Sequence, residues 1–474
     1  MADAEVRSNV LNFDDVVNIL SYLSPQDLVN ASKVCRLWNE AANTASLWKR
    51  HCLQRWSFCN LNITPGEKTW NRYYVTRCKI DQGAATGRPG LDYVCKTLRG
   101  HKGIVNDAIF VTTNDIYDEN IIDKQASPVV ASCGRDKMVS LWNAHEGKSV
   151  WKNCDAHETS VSSLALIKPE TSFASGDQQG VVNIWDVTTG QNIKLQETHS
   201  SEVTRLCCGP DVFGSSKEVT GQSLLYVASR SGSVKLWDIR DTTKAQHVID
   251  TSIHNLTMMK LKGSYTLVLS GKGSLFQDMQ AIKVYDIRNL ATNSFRGPDI
   301  FSLDSPLDNI TTMSWIPSHP NQLVAGYTSG SIRIWDITNG QTINTFKPHL
   351  GAVTALSAVG SKLISAGKEC CLHLWHLEKN KSIDSFMDHN SEITDVYADA
   401  FKVMSCSRDF SIRVYSWVDK TDGEGKCVRS LDSRYTLLGG SLQRAGNGFE
   451  KIICDYTTCV GMANDVLKAY SFQV

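Results

Sequence analysis

An excess of either charge is missing from this chain: Lys plus Arg and Asp plus Glu number 49 each over 474 residues. No global field therefore favours nucleic acid, an anionic membrane or an acidic substrate, and charge-driven binding must come from a local cluster. The start, Met1-Ala2-Asp3-Ala4-Glu5-Val6-Arg7, lacks a basic stretch followed by an apolar core, so no secretory signal is expected. No apolar run approaches bilayer length, which argues against a helical membrane span. Cys-x-x-Cys is also absent; the nearest spacing, Cys454 and Cys459, has no second pair beside it, so no metal site is expected. The 15 cysteines are odd in number and often sit in apolar strands, as at Cys133, Cys207-Cys208 and Cys406. That usage fits buried free thiols in a reducing compartment, the cytoplasm or nucleus. No cofactor fingerprint occurs, and Gly271-Lys272-Gly273 lacks a following helix pattern and reads as a turn.

What is present is a globular composition, 42% hydrophobic and 21% charged, and a repeat. Eight short β-branched runs end on an aromatic residue: Trp142, Trp185, Trp237, Tyr285, Trp335, Trp375, Tyr415 and Tyr470. Their spacing, about 40–55 residues, is that of propeller blades. Tyr93-Val94-Cys95-Lys96-Thr97-Leu98 is a spare strand that can pair beside the last blade and remove both sheet edges. Eight blades are expected, or seven if residues 431–474 form none. Ahead of the repeat, Asn12 can cap a first helix with an apolar stripe of Phe13, Val16, Val17, Leu20 and Leu23. Ser24-Pro25-Gln26-Asp27 restarts the chain as cap, first helical residue and acidic first turn. A third helix is expected to carry Val34, Cys35, Trp38, Ala41 and Ala42, and Leu47-Trp48 open a fourth. The fold class is thus mainly β with a small all-α N-terminal module: residues 1–55 helical, 56–92 a connector, and 93–474 the propeller. The connector begins helical, anchored by Trp56, Trp70, Tyr73 and Tyr74, and ends in a Gly/Ala-rich stretch, Gly83 to Gly90, that reads as a flexible joint.

The string Ile19-Leu20-Ser21-Tyr22-Leu23-Ser24-Pro25-Gln26-Asp27-Leu28, then Val34-Cys35-Arg36-Leu37-Trp38 and Ser46-Leu47-Trp48, resembles an F-box. It departs from the family where Leu11-Asn12 stands in place of an opening Leu-Pro, and Asn12 as a cap is expected to preserve the turn. The blades resemble WD repeats, best in blade one: Gly100-His101, Ser132-Cys133-Gly134-Arg135-Asp136 and Val139-Ser140-Leu141-Trp142. The family implies a buried chain of His101, Ser132, Asp136 and Trp142, repeated as His389, Ser405, Asp409 and Tyr415 in blade seven. Blade six has Glu369 for the acid and blade two has Gln179. The remaining blades have lost most of the set. Six of the twelve histidines sit at the blade-entry position, so the His/Ser/Asp combinations read as structure and not as a hydrolytic triad.

The order of modules resembles F-box/WD-repeat proteins, which implies a non-catalytic substrate receptor of an SCF (cullin–RING) ubiquitin ligase. The F-box would bind the Skp adaptor, and through it cullin and RING subunits. Val16, Ile19, Leu20, Leu23, Pro25, Leu28, Val34, Cys35 and Trp38 would supply the adaptor-facing surface and its immediate support. The propeller would hold a protein target, its phosphorylated or acidic motif met by Arg135, Arg230, Lys368 and Arg408 from equivalent turns. The rival readings are a non-catalytic scaffold whose front helices bind another partner, and a propeller hydrolase or lyase with a polar constellation in its central channel. No nucleic acid, membrane or cofactor is expected.

Overall fold

In the computed structural model the described residues are 11–55, 69–112, 128–196, 199–210, 223–251, 253–262, 266–272, 280–287, 299–305, 308–379, 381–421, 427–438 and 448–472. They fall into two compact units, one up to Gln82 and one from Gly83 onward.

The first unit is helical. α1 (Phe13–Leu20) starts with a capping box: Asn12 Oδ1 accepts the Asp15 N–H at 2.8 Å, and the Asp15 carboxylate accepts the Asn12 N–H at 3.3 Å. α2 (Pro25–Ala31) has Ser24 as cap and Pro25 at its first position, where a missing N–H costs nothing. α3 (Arg36–Ala42), which packs on both, begins one residue after Cys35. This corrects the third helix: Val34 precedes it, and Cys35 is its cap without a side-chain bond. α4 (Ala45–Arg55) buries Leu47, Trp48 and Cys52, and the Trp48 indole N–H donates to the Ala42 carbonyl at 2.7 Å. α5 (Trp70–Thr86) buries Trp70, Tyr73 and Tyr74, with the Tyr74 ring 5.4 Å from Trp48. Trp56 lies outside the described residues.

The second unit is an eight-bladed propeller. Seven four-stranded antiparallel sheets run in chain order over 105–153, 161–194, 203–250, 254–305, 310–346, 353–386 and 393–436. The eighth combines three strands of 451–471 with Val94–Arg99, which pairs antiparallel with Val466–Ser471 in the register Cys95↔Tyr470. The spare strand thus closes the ring, and the first strands of successive blades touch all the way round, the eighth blade's against the first's. Closure leaves no blade at a free end of the array.

Each of the eight aromatic residues sits in the third strand of its blade opposite a second-strand residue, from Val130↔Trp142 to Cys459↔Tyr470. The apolar clusters lie between blades more than within them. Val460, Met462 and Leu467 of blade eight pack with Val105, Ala108 and Trp142 of blade one, and Phe173 and Trp185 of blade two pack with Val139 and Leu141 of blade one. A Trp that removes roughly 200 Å² from water contributes about 5 kcal/mol at roughly 25 cal/mol per Å².

Two turn readings are revised. Gly83–Thr86 is the last turn of α5, not a loose joint: the Gly87 N–H donates to the Gly83 carbonyl at 2.9 Å, and Gly87 takes the left-handed φ of +64° that ends helices. The segment is held further by Tyr435, whose hydroxyl donates to the Ala84 carbonyl at 2.8 Å, and by Arg88, whose guanidinium donates to Asp92 at 2.9 Å. Gly271 and Lys272 end the strand Thr266–Lys272, because Gly271 pairs with Leu256 and Ala281 on either side; Gly273 lies outside the described residues.

Candidate functional site

The helical unit divides the nine candidate adaptor residues into two groups. Val16, Leu20 and Leu28 are wholly buried, since α1 and α2 turn these positions toward α3. They are the supporting members of the set, beneath the surface and not part of it. Ile19, Val34 and Cys35 are exposed, while Leu23, Pro25 and Trp38 are partly buried. Tyr22, 87% exposed, is a residue that sequence reasoning passed over as a candidate, as is Val29. Tyr22 lies between α1 and the cap of α2, where helical periodicity says nothing about orientation. With Leu11, Phe13, Ile19 and Val34, this short unit leaves an unusual number of large apolar side chains in water.

In the ring, the four candidate cations occupy one station. The backbone N–H of Arg135, Arg230, Lys368 and Arg408 donates to the residue just before the first strand of its own blade, at 2.8, 2.8, 3.0 and 3.2 Å. The side chains differ. Arg230 pairs with Glu202 at 3.1 Å and Arg408 with Glu392 at 2.6 Å, so half of the cluster is already neutralised. Arg135 and Lys368 are exposed, with no carboxylate partner among the described residues. The loops of the ring also expose two apolar residues that sequence reasoning did not single out, Leu350 at 94% and Met387 at 79% exposure. They precede the first strands of blades six and seven, in loops whose irregular pattern carries no burial signal.

The polar chains behind these turns are structural. In blade one, Ser132 Oγ accepts the Trp142 indole N–H at 2.8 Å and donates to His101 Nε2 at 2.8 Å, while His101 Nδ1–H donates to Asp136 at 3.0 Å. An indole only donates, so the serine must accept from it, and the histidine tautomer follows from that. Burial pushes the His101 pKa down against the pull of Asp136, keeping the ring neutral. Blade seven joins His389 to Ser405 at 2.7 Å and to Asp409 at 3.1 Å. In blade two the acid is Asp177, 3.0 Å from His157 Nδ1; Gln179 is not the replacement, because the carboxylate reaches from the strand end two residues earlier. Blade three turns His199 to Ser233 Oγ at 3.1 Å and the Val227 carbonyl at 3.2 Å. Blade five puts Asp308 in the histidine place, accepting from Thr328 at 2.9 Å and Ser331 at 3.1 Å. Ser132, Ser175, Ser365 and Ser405 are all buried and bonded, so none of them can meet a substrate.

The described residues thus combine a helical module with an eight-bladed ring that follows it in sequence. Residues 16–54 match the F-box-like family, and 93–143, 147–186, 297–336 and 340–376 match the WD domain, G-beta repeat. Among curated proteins, the chain is 25% identical over 174 residues to F-box/WD repeat-containing protein 15 of Mus musculus, covering 36% of each chain. It is 21% identical over 169 residues to F-box/WD repeat-containing protein 12 of Homo sapiens, covering 35% of each. It is 22% identical over 275 residues to E3 ubiquitin-protein ligase COP1 of Arabidopsis thaliana, 56% of this chain and 34% of that one. The matches span only about a third of the length of these relatives. The crystal structure of the computationally designed Ika8 protein shares the fold, with a TM-score of 0.56 at 22% identity over 79% of this chain and 98% of that chain. The chain thus carries an F-box-like module and WD40 repeats, the two modules that F-box/WD repeat-containing proteins are named for. No helix among the described residues is long and apolar enough to cross a membrane.

Proposed function

We propose that this chain is the substrate-recognition subunit of an SCF-type ubiquitin ligase, with no catalytic residue of its own. The observation that carries the reading is the F-box-like match over 16–54 on a unit that leaves Ile19, Tyr22 and Val34 in water. On this reading the helical unit docks on a Skp adaptor, and the propeller holds a target, raising the local concentration of its lysines near a charged conjugating enzyme. Arg135 and Lys368 meet a phosphorylated or acidic motif, and Glu202 and Glu392 hold Arg230 and Arg408 in place for it. The protein works in the cytoplasm or nucleus, where adaptor and thiol-reducing conditions coincide.

The test is co-purification of the full chain with a Skp adaptor. Ile19→Asp and Val34→Asp are the informative variants, because both residues are exposed and neither supports the helical core. Loss of about 2 kcal/mol or more of docking energy in either supports the reading. Undiminished co-purification with both would remove the adaptor assignment and leave a scaffold with another partner.

A further inference from the structure

Blade six differs from the other blades with a complete polar chain. Its acid is Glu369 where blades one and seven have Asp136 and Asp409, and Cys371 and His373 follow at the next alternate positions. Glu369 and His373 both lie against His349, and Cys371 lies against His373. Blades one, two and seven place Ser140, Asn183 and Arg413 at the position of His373. His349 Nδ1 bonds directly to the Glu369 carboxylate. The rings of His349 and His373 are 4.8 Å apart at 70°, and Cys371 Sγ is 3.4 Å from His373 Nε2. Ligand atoms of His349, Glu369 and His373 all lie within 4.8 Å of one another, the one grouping of this kind among the described residues. Ser411 of blade seven and Asn183 of blade two, at the places of Cys371 and His373, bond the histidine of their blade, but the chain of Trp375, Ser365, His349 and the acid is already complete in blade six. It leaves Cys371 and His373 unaccounted for.

We propose that His349, Glu369, Cys371 and His373 form a tetrahedral zinc site that clips the turn of blade six to the loop before its first strand. Two imidazoles, one carboxylate and one thiolate suit zinc, and the two anions cancel its charge in a half-buried site. Zinc–nitrogen bonds of about 2.0 Å and a zinc–sulfur bond of about 2.3 Å place neighbouring ligand atoms about 3.5 Å apart, which the Cys371–His373 pair already meets. The supporting bonds are present too. Glu369 Oε2 accepts the Gly351 N–H at 3.0 Å, and His349 Nε2 faces Ser365 Oγ at 2.8 Å. With zinc on Nδ1, the His349 proton moves to Nε2 and donates to Ser365 Oγ, which keeps its bond from the Trp375 indole at 3.2 Å. The set binds zinc as neutral imidazoles, a carboxylate and a thiolate. Zinc therefore displaces the thiol proton to solvent on binding. A search for paired cysteines passes over this set because one ligand precedes the others by twenty residues.

The experiment uses the full chain, kept reduced, loaded with zinc alone, desalted and assayed by mass spectrometry, with cobalt as a spectroscopic stand-in. The expected result is one metal per chain and a thiolate-to-cobalt charge-transfer band. His373→Asn and Cys371→Ser, which install the residues of blades two and seven, weaken zinc binding about 100-fold or more and abolish the band. Neither side chain is part of the Trp375–Ser365–His349 chain, so the metal-free variants keep the parent's circular dichroism and denaturant midpoint. A parent that retains no stoichiometric zinc overturns the site. So does zinc bound equally by both variants, since it then resides on other groups.

Discussion

On the helical unit Ile19, Tyr22 and Val34 stand in solvent, whereas seven of the eight third-strand aromatics of the ring are buried and the eighth, Trp375, is partly so. The ring can cover its apolar side chains because each blade packs on the next and Val94–Arg99 closes the circle. About forty residues of short helices have no such recourse and bury only one side of each helix. The contrast assigns different work to the two units. The helical unit crowds exposed apolar side chains onto a few short helices, whereas the ring exposes them singly, on fourth strands at Val150, Ile193, Val248 and Ile343 and in loops at Leu350 and Met387, with the exposed cations Arg135 and Lys368 in its turns.

The sharpest way to break this comparison is a pair of substitutions one residue apart. Leu20→Asp puts an unpaired charge into the helical core and costs roughly 3–5 kcal/mol, read as loss of protease resistance in residues 11–55. Ile19→Asp changes stability by less than about 0.5 kcal/mol while weakening adaptor docking. Equal unfolding by both would mean that the outer face is not free.

Next in size is an acid effect on the ring. Burial, with Lys235 nearby, pushes His199 down to about 4 from its usual 6.5, so the folded ring favours the neutral imidazole. Its contribution is complete above pH 6.5 and is lost as pH falls from 6.5 to 4, about 3 kcal/mol in all at 1.36 kcal/mol per unit. Denaturant midpoints of the parent and His199→Asn measured across that window should diverge, the variant showing the shallower acid slope.

Smaller again is the effect on one polar chain. Ser132→Ala strips the Trp142 indole of its acceptor and His101 of its donor, at about 1–3 kcal/mol by urea denaturation. The smallest expected effect is that of Arg230→Ala, whose exposed pair with Glu202 is worth about 0–1 kcal/mol; its thermal midpoint should hardly move. A fall in capture of an acidic target without loss of stability would place Arg230 on the binding face.

Much of this was readable from residue order alone. Asn12, Ser24 and Pro25 act through neighbours three or fewer residues away, so the starts of α1 and α2 were legible. The eight aromatic strand ends and the closing strand at Tyr93–Leu98 follow from alternation and period, both local properties. Tertiary packing decided the rest. Leu20 and Ile19 are adjacent and equally apolar, yet α3 covers the first and leaves the second in water. Asp177 took the place assigned to Gln179 because a carboxylate's reach, and not its position in a repeat, satisfies His157. Arg230 and Arg408 met carboxylates that the preceding loops bring to them, while Arg135 and Lys368 met none among the described residues. A side chain's type and its place on a strand or helix are written in the chain; which neighbour covers it depends on residues far away in sequence and close only after folding.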